Sequence, residues 1–152
     1  GRIHSIGAGA FIAEIQQTSN ITYRIYDFNR CDDNGNPREL HTEMSKAAID
    51  YTVLPDYRTY YDAQPDTHTQ LVSCRYFTTS LLKLTKPFEM NLSELDSFVI
   101  LICTKGEGTI SGSNGEHITI KQGESILIPA IEKGVNITPD SNMEILSSWI
   151  LE

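Results

Sequence analysis

The sequence predicts an all-β fold, a sandwich or barrel, preceded by a connecting segment that carries one helix. Three observations carry this. Short runs of β-branched and apolar residues recur at even spacing over 72–84, 98–104, 108–111, 117–120, 125–128, 134–138 and 144–150. Turn chemistry separates them at Lys105-Gly106, Ser113-Asn114-Gly115, Gln122-Gly123 and Pro139-Asp140. Helical spacing of apolar residues, by contrast, is confined to one stretch, from 38 to about 51.

Taken in order, residues 10–16 alternate. Phe11, Ala13 and Ile15 point one way and Ile12, Glu14 and Gln16 the other, as in a half-buried strand. Residues 21–27 are β-branched and aromatic, with Thr22, Arg24 and Tyr26 on one side, and Thr18-Ser19-Asn20 supplies a turn. The two runs therefore read as a hairpin. A turn centred on Ser19 would set Glu14 opposite Arg24 and Gln16 opposite Thr22, which gathers an acid, a guanidinium, an amide and a hydroxyl on one face. Spacing alone leaves two interpretations open, an ordinary cross-strand ion pair or part of a site.

Residues 27–37 are dense in Asp, Asn and Gly and read as a loop. They lack the ligand spacing and closing glutamate of a calcium loop. Pro37 then opens the helical segment, where Leu40, Met44, Ala47, Ala48 and Tyr51 form an apolar stripe. His41, beside the stripe, reads as a surface or capping residue, because no second ligand sits three or four positions away. Arg30 and Arg38 flank the loop, and either could reach a phosphate, but solvated surface is the default reading. Residues 52–70, with Pro55, Pro65, Tyr57, Tyr60 and Tyr61, read as an extended linker pinned by its aromatics. Beyond it, Phe98-Val-Ile-Leu-Ile-Cys103 is apolar on both faces and is expected to be the central buried strand.

Composition narrows the function. The chain has 152 residues, 39% of them hydrophobic and 21% charged, values ordinary for a globular protein, and no repeat. A net charge of −8 with no Lys/Arg cluster argues against a nucleic-acid partner, and any phosphate site must be built locally from residues such as Arg24. No membrane partner is expected, since no apolar run approaches ~20 residues and no leader pattern opens the chain. Cys31, Cys74 and Cys103 form no Cys-x-x-Cys pair, which points to a cytoplasmic protein without disulfides.

The string Gly1-Arg-Ile-His4-Ser-Ile-Gly-Ala-Gly9, followed by Glu14-Ile-Gln-Gln-Thr-Ser-Asn20 and Tyr23-Arg-Ile-Tyr-Asp27, closely resembles the middle of the type I mannose-6-phosphate isomerases. These are zinc enzymes built from cupin (jelly-roll) domains. The skeleton Gly106-Glu-Gly108 and Gly123, with Pro129 six residues later, likewise resembles cupin barrels. The resemblance covers essentially the whole chain and implies an all-β, cupin-like jelly-roll barrel with one helix in the connecting segment. It divides the chain into 1–27, the C-terminal strands of a catalytic cupin; 28–70, loop, helix and linker; and 71–152, a degenerate second cupin.

The implied activity is interconversion of mannose 6-phosphate and fructose 6-phosphate through an enediol, with zinc as Lewis acid. His4 takes the place of the family's last zinc ligand, as neutral imidazole. The other three ligands, a glutamine, a histidine and a glutamate, lie upstream of this motif in the family and are not in this chain. Glu14 and Arg24 match residues lining the sugar-phosphate site: Glu14 would orient the substrate or shuttle a proton, and Arg24 would hold the substrate and favour the anionic intermediate. Asn20 stands where many members have aspartate, in the same substrate-binding region. The second cupin lacks the His-x-His pair of metal-binding barrels and is expected to be structural.

Because the chain opens inside a motif without methionine, it is expected to be a piece of a longer protein, inactive and without tight zinc alone, with the remaining N-terminal part as its partner. Two other classes compete. A non-catalytic sugar-phosphate-binding or regulatory cupin is favoured by Asn20, and a different metal cupin is disfavoured by the missing His-x-His pair.

Overall fold

The computed structural model describes residues 2–150. The chain divides into two compact units, at Tyr57/Arg58.

Among the described residues the second unit holds nine strands: β1 (His68–Ser73), β2 (Thr78–Leu84), β3 (Phe88–Asn91), β4 (Val99–Lys105), β5 (Glu107–Ser111), β6 (His117–Lys121), β7 (Ser125–Ile128), β8 (Gly134–Pro139) and β9 (Met143–Trp149). They form a five-stranded sheet in the order β1-β2-β9-β4-β7 and a four-stranded sheet in the order β3-β8-β5-β6. The pairings between these nine strands are antiparallel. This is the jelly-roll sandwich, in which strands that are neighbours in space come from distant parts of the chain.

Register explains which residues make the core. Leu82 lies opposite Ile145, and Leu101 lies opposite both Ser147 and Ile126, so alternate residues of β2, β9, β4 and β7 share the inner face. Met90 opposite Val135 and Ile110 opposite Ile137 do the same in the other sheet. The two faces meet in one cluster that includes Leu82, Leu84, Met90, Leu101, Ile120, Ile137 and Ile145, with Trp149, Leu95 and Phe88 packed against it. Removing such side chains from water is the main favourable term in the fold.

Two glycines are required by close backbone approach. Gly106, at φ +77°, makes the tight β4–β5 link, and a Cβ there would stand 2.5 Å from the Asn142 carbonyl oxygen. At Gly108 a Cβ would stand 2.5 Å from the Thr138 carbonyl oxygen and 2.9 Å from the Pro139 Cα. Gly106 packs the β4–β5 link against Asn142, in the segment that joins β8 to β9, and Gly108 packs β5 against β8 itself.

Three expectations about strands are corrected. The run 72–84 is two strands rather than one, because the chain turns at Cys74–Phe77 on a Cys74 N–H to Phe77 carbonyl bond of 3.0 Å. The turn contains no Gly, Pro, Asn or Asp, so it carries no local signal. β3 is four residues long and was hidden by its brevity, while β1 begins at His68, inside the predicted linker. Finally, the central strand is β9; β4 lies one strand from the edge, with Val99, Leu101 and Cys103 buried and Ile100 and Ile102 only half-buried.

In the first unit the helix α1 runs only Thr42–Ala48, not from 38 to 51. Its expected apolar stripe is largely uncovered, with Leu40, Met44 and Tyr51 all exposed. Pro37 instead bridges to Cys31 and closes the loop. Within that loop the Asp32 carboxylate accepts the Asn34 and Asn36 N–H groups, each at 2.9 Å, and so serves the turn itself.

The predicted hairpin over 10–27 forms no strand pairing among the described residues. Phe11 is 61% exposed and Ile21 72%, so the apolar side chains that would drive pairing have nothing to cover them. A two-stranded hairpin without a packed face is marginal in water. The convergence of Glu14 with Arg24 and of Gln16 with Thr22 is therefore absent here.

Candidate functional site in the first unit

The four residues assigned to the site by resemblance fall in the first unit. His4, Glu14 and Asn20 are exposed, whereas Arg24 is half-buried. No hydrogen bond or ion pair joins Glu14 to Arg24 among the described residues. Nor do three or more His, Cys, Asp or Glu side chains converge in a metal-like group among them. Only Arg24 sits in an organised environment.

That environment is built by the loop that follows it. Closure of residues 28–37 returns the chain so that Asp27 and Arg38 meet, and Asp27 accepts both Nε and Nη2 of Arg38 in a two-pronged pair. The Arg38 guanidinium beside it holds the Asp27 carboxyl below the usual carboxylate range, with Arg24 and Arg30 contributing at longer range. The Arg24 Nε lies 3.8 Å from Asp27 Oδ1. Asp27 thus faces two guanidinium groups.

Three residues beyond Arg38, His41 stands at the N-terminal boundary of α1, where its side chain makes no cap bond to the helix. Its Nδ1 instead accepts the Arg24 backbone N–H at 3.1 Å, and its own N–H donates to the Arg24 carbonyl at 2.7 Å. The Arg24 Nη1 donates to the Glu39 carbonyl at 3.3 Å. One Nη1 hydrogen and both Nη2 hydrogens of Arg24 stay clear of these bonds, so the group can still grip an anionic oxygen.

The arrangement corrects two expectations at once. Arg38 is engaged by Asp27 rather than simply solvated, and His41 is half-buried and bonded to the Arg24 main chain. Neither was legible locally, because each partner lies eleven or seventeen positions away. The nearest signal was the pair of charges flanking an Asn/Gly-rich loop, Asp27 before it and Arg38 after.

With the nine-stranded double sheet in place, the class of the protein is a cupin. Residues 67–150 match the family described as "Mannose-6-phosphate isomerase, cupin domain". The chain is 33% identical over 132 residues to the mannose-6-phosphate isomerase ManA of Bacillus subtilis, covering 85% of this chain and 41% of that protein. It is 32% identical over 152 residues to the mannose-6-phosphate isomerase of Streptococcus mutans, covering 97% and 46% respectively. The crystal structure of the mannose 6-phosphate isomerase from Bacillus subtilis superposes with a TM-score of 0.67 at 26% identity, over 86% of this chain and 40% of that one.

The chain belongs to the mannose-6-phosphate isomerase cupin-domain family, and it spans less than half the length of these relatives. Among the described residues no helix is long and apolar enough to cross a membrane.

Proposed function

We propose that this chain is part of a zinc-dependent aldose–ketose isomerase that interconverts mannose 6-phosphate and fructose 6-phosphate in the cytoplasm. The observation that carries the proposal is the family match over 67–150 together with identities above 30% to two mannose-6-phosphate isomerases over most of the chain. Residues 2–27 complete a catalytic cupin whose other strands come from the remaining N-terminal part of the same protein. The exposed Phe11, Ile12, Ile21, Tyr23 and Tyr26 support this, since apolar side chains in such density are normally covered.

In that assembly Arg24 holds the sugar phosphate and stabilises negative charge as it develops on the substrate oxygens. Glu14, set opposite Arg24 once the hairpin pairs, orients the substrate or moves a proton between its adjacent carbons. Asn20, at the hairpin turn, contributes an amide to the same pocket.

His4 is the proposed zinc ligand. One imidazole does not make a zinc site, which takes at least three protein groups, so the described residues do not by themselves fit the metal. The missing ligands belong to the part of the protein outside these residues, and this chain alone is proposed to be inactive.

A coupled assay for fructose 6-phosphate tests the proposal, run on the full-length protein with and without a chelator, beside the 152-residue chain. Activity in the full-length protein that chelation abolishes, with none in the chain, is the expected result. A metal-loaded full-length protein that binds the sugar phosphate without converting it would move the assignment to a regulatory sugar-phosphate-binding cupin. Asn20→Asp would then be the first variant to restore activity.

A further inference from the structure

We infer that His41 is a positioning residue for Arg24, fixing the arginine's main chain through its Nδ1 so that the guanidinium is presented to substrate in one orientation. The inference rests on the proposed role of Arg24 and adds to it a residue that does not touch the substrate.

The geometry is specific. Two hydrogen bonds run in opposite directions between Arg24 and His41, one from the Arg24 N–H to Nδ1 at 3.1 Å and one from the His41 N–H to the Arg24 carbonyl at 2.7 Å. Both polar groups of the Arg24 peptide backbone are therefore bound to a single residue seventeen positions on. The Glu39 carbonyl, two residues before His41, takes the Arg24 Nη1. The arginine is thus held at its root and at its tip by the same short segment, 39–41.

The chemistry of the ring follows from this. A nitrogen that accepts a backbone N–H must offer a lone pair, so the ring proton belongs on Nε2, which faces Glu39 Oε2 at 3.7 Å. Nδ1 is then unavailable as a metal ligand or proton donor. The Tyr23 ring, centred 6.3 Å away, flanks the imidazole. The Arg24 Nε lies 3.8 Å from Asp27 Oδ1, and Asp27 is itself paired with Arg38.

Holding an arginine this way has a kinetic consequence. A free arginine side chain explores many rotamers, and a phosphate or an enediolate is gripped well by only a few of them. Restricting the backbone and one terminal nitrogen in advance lowers the ordering cost when substrate arrives. Remove Nδ1 and the guanidinium stays charged, but it is no longer aimed.

The test uses the full-length protein and four forms of it: unchanged, Arg24→Ala, His41→Ala and His41→Asn. Asn is included because its side-chain oxygen can accept the Arg24 N–H as Nδ1 does. Each is assayed for isomerisation of mannose 6-phosphate, and hydrogen exchange is followed at the Arg24 amide. Arg24→Ala is expected to lose activity. His41→Ala is expected to lower kcat/KM by about tenfold to a hundredfold and to speed exchange at Arg24, and His41→Asn to recover most of both.

His41→Ala with unchanged kinetics beside an inactive Arg24→Ala would overturn the inference and leave the proposed function standing. Full activity in Arg24→Ala would remove Arg24 from the site and the inference with it. If His41→Ala fails to fold, His41→Asn decides: slow Arg24 exchange with near-normal kinetics, or fast exchange with lost activity, supports the hydrogen-bonded role, and a change in one without the other refutes it.

Discussion

Asp66 adopts φ +57°, a left-handed conformation that aspartate tolerates better than most residues, and it does so where the chain enters the barrel. Its N–H donates to the Lys83 carbonyl at 2.8 Å, and its carboxylate accepts the Thr85 N–H at 2.8 Å and the Thr85 hydroxyl at 2.9 Å. The Thr85 N–H bond, aided by the hydroxyl and by Lys86, holds the carboxyl below its ordinary value of 3.8. A depressed carboxyl pKa contributes stability that is present above the unfolded value and is lost as pH falls through the folded one. The barrel is therefore expected to weaken below about pH 4, and Asp66→Asn to flatten that acid limb. Thermal midpoints at pH 3 and pH 6 for both forms check this; identical slopes would show that Asp66 does not contribute. His68 adds an earlier step of the same sign. Desolvation, with its ring edge-on to Phe88, pushes it below its ordinary 6.5, so protonation on acidification works against the fold.

Among the elements, β5 shows how one residue type can decide a pairing. Gly108 lies opposite Pro139 in β8 and opposite Ile120 in β6, and the backbone of β8 passes where a side chain would start. Gly108→Ala must push β5 off β8 and is expected to destabilise the barrel by about 2 kcal/mol. Gly134→Ala is the control: its Cβ would meet only the Met90 carbonyl, at an ordinary 3.4 Å, and a change within about 0.5 kcal/mol is expected. Denaturant midpoints for the two variants test this, and equal losses would refute it. The hairpin β5–β6 was readable from Ser113-Asn114-Gly115, because the turn needs a residue at positive φ and Gly115 supplies it at +79°. The β1–β2 turn was not readable, since Cys74–Phe77 closes on a main-chain bond that needs no special residue type, and the flanking 2.8 Å Ser73–Thr78 hydroxyl pair uses residues that are common in strands as well as in turns.

For the whole molecule, cooperative structure is unevenly shared. In the second unit β4 and β9 are each bonded on both sides and line the hydrophobic core. Over residues 11–22 of the first unit the hydrogen bond recorded among the described residues runs from the Ile21 N–H to the Ser19 hydroxyl. Opening free energy should follow that difference. In the 152-residue chain, amides of 11–22 are expected to exchange within the dead time of a hydrogen-exchange experiment, and those of β4 and β9 to exchange only on global unfolding. Equal protection in the two regions would show that 11–22 is packed without help from other chain segments.

The sequence by itself determined the fold class, most strand positions from β4 onward, the glycine turns between them and the family motif that singles out His4, Glu14, Asn20 and Arg24. All of these depend on patterns that repeat or close within a few residues. Tertiary structure alone decided that β9 is the central strand, that β3 exists, and that Arg24 and Asp27 find His41 and Arg38 across the loop. Each of those depends on partners far along the chain, whose choice is made by packing and main-chain hydrogen bonding rather than by local preference. The paired hairpin over 10–27 belongs to the same group. Its alternation is plain in the sequence, yet without a surface to cover Phe11 and Ile21 the pattern has no free energy to draw on, and the strands do not form.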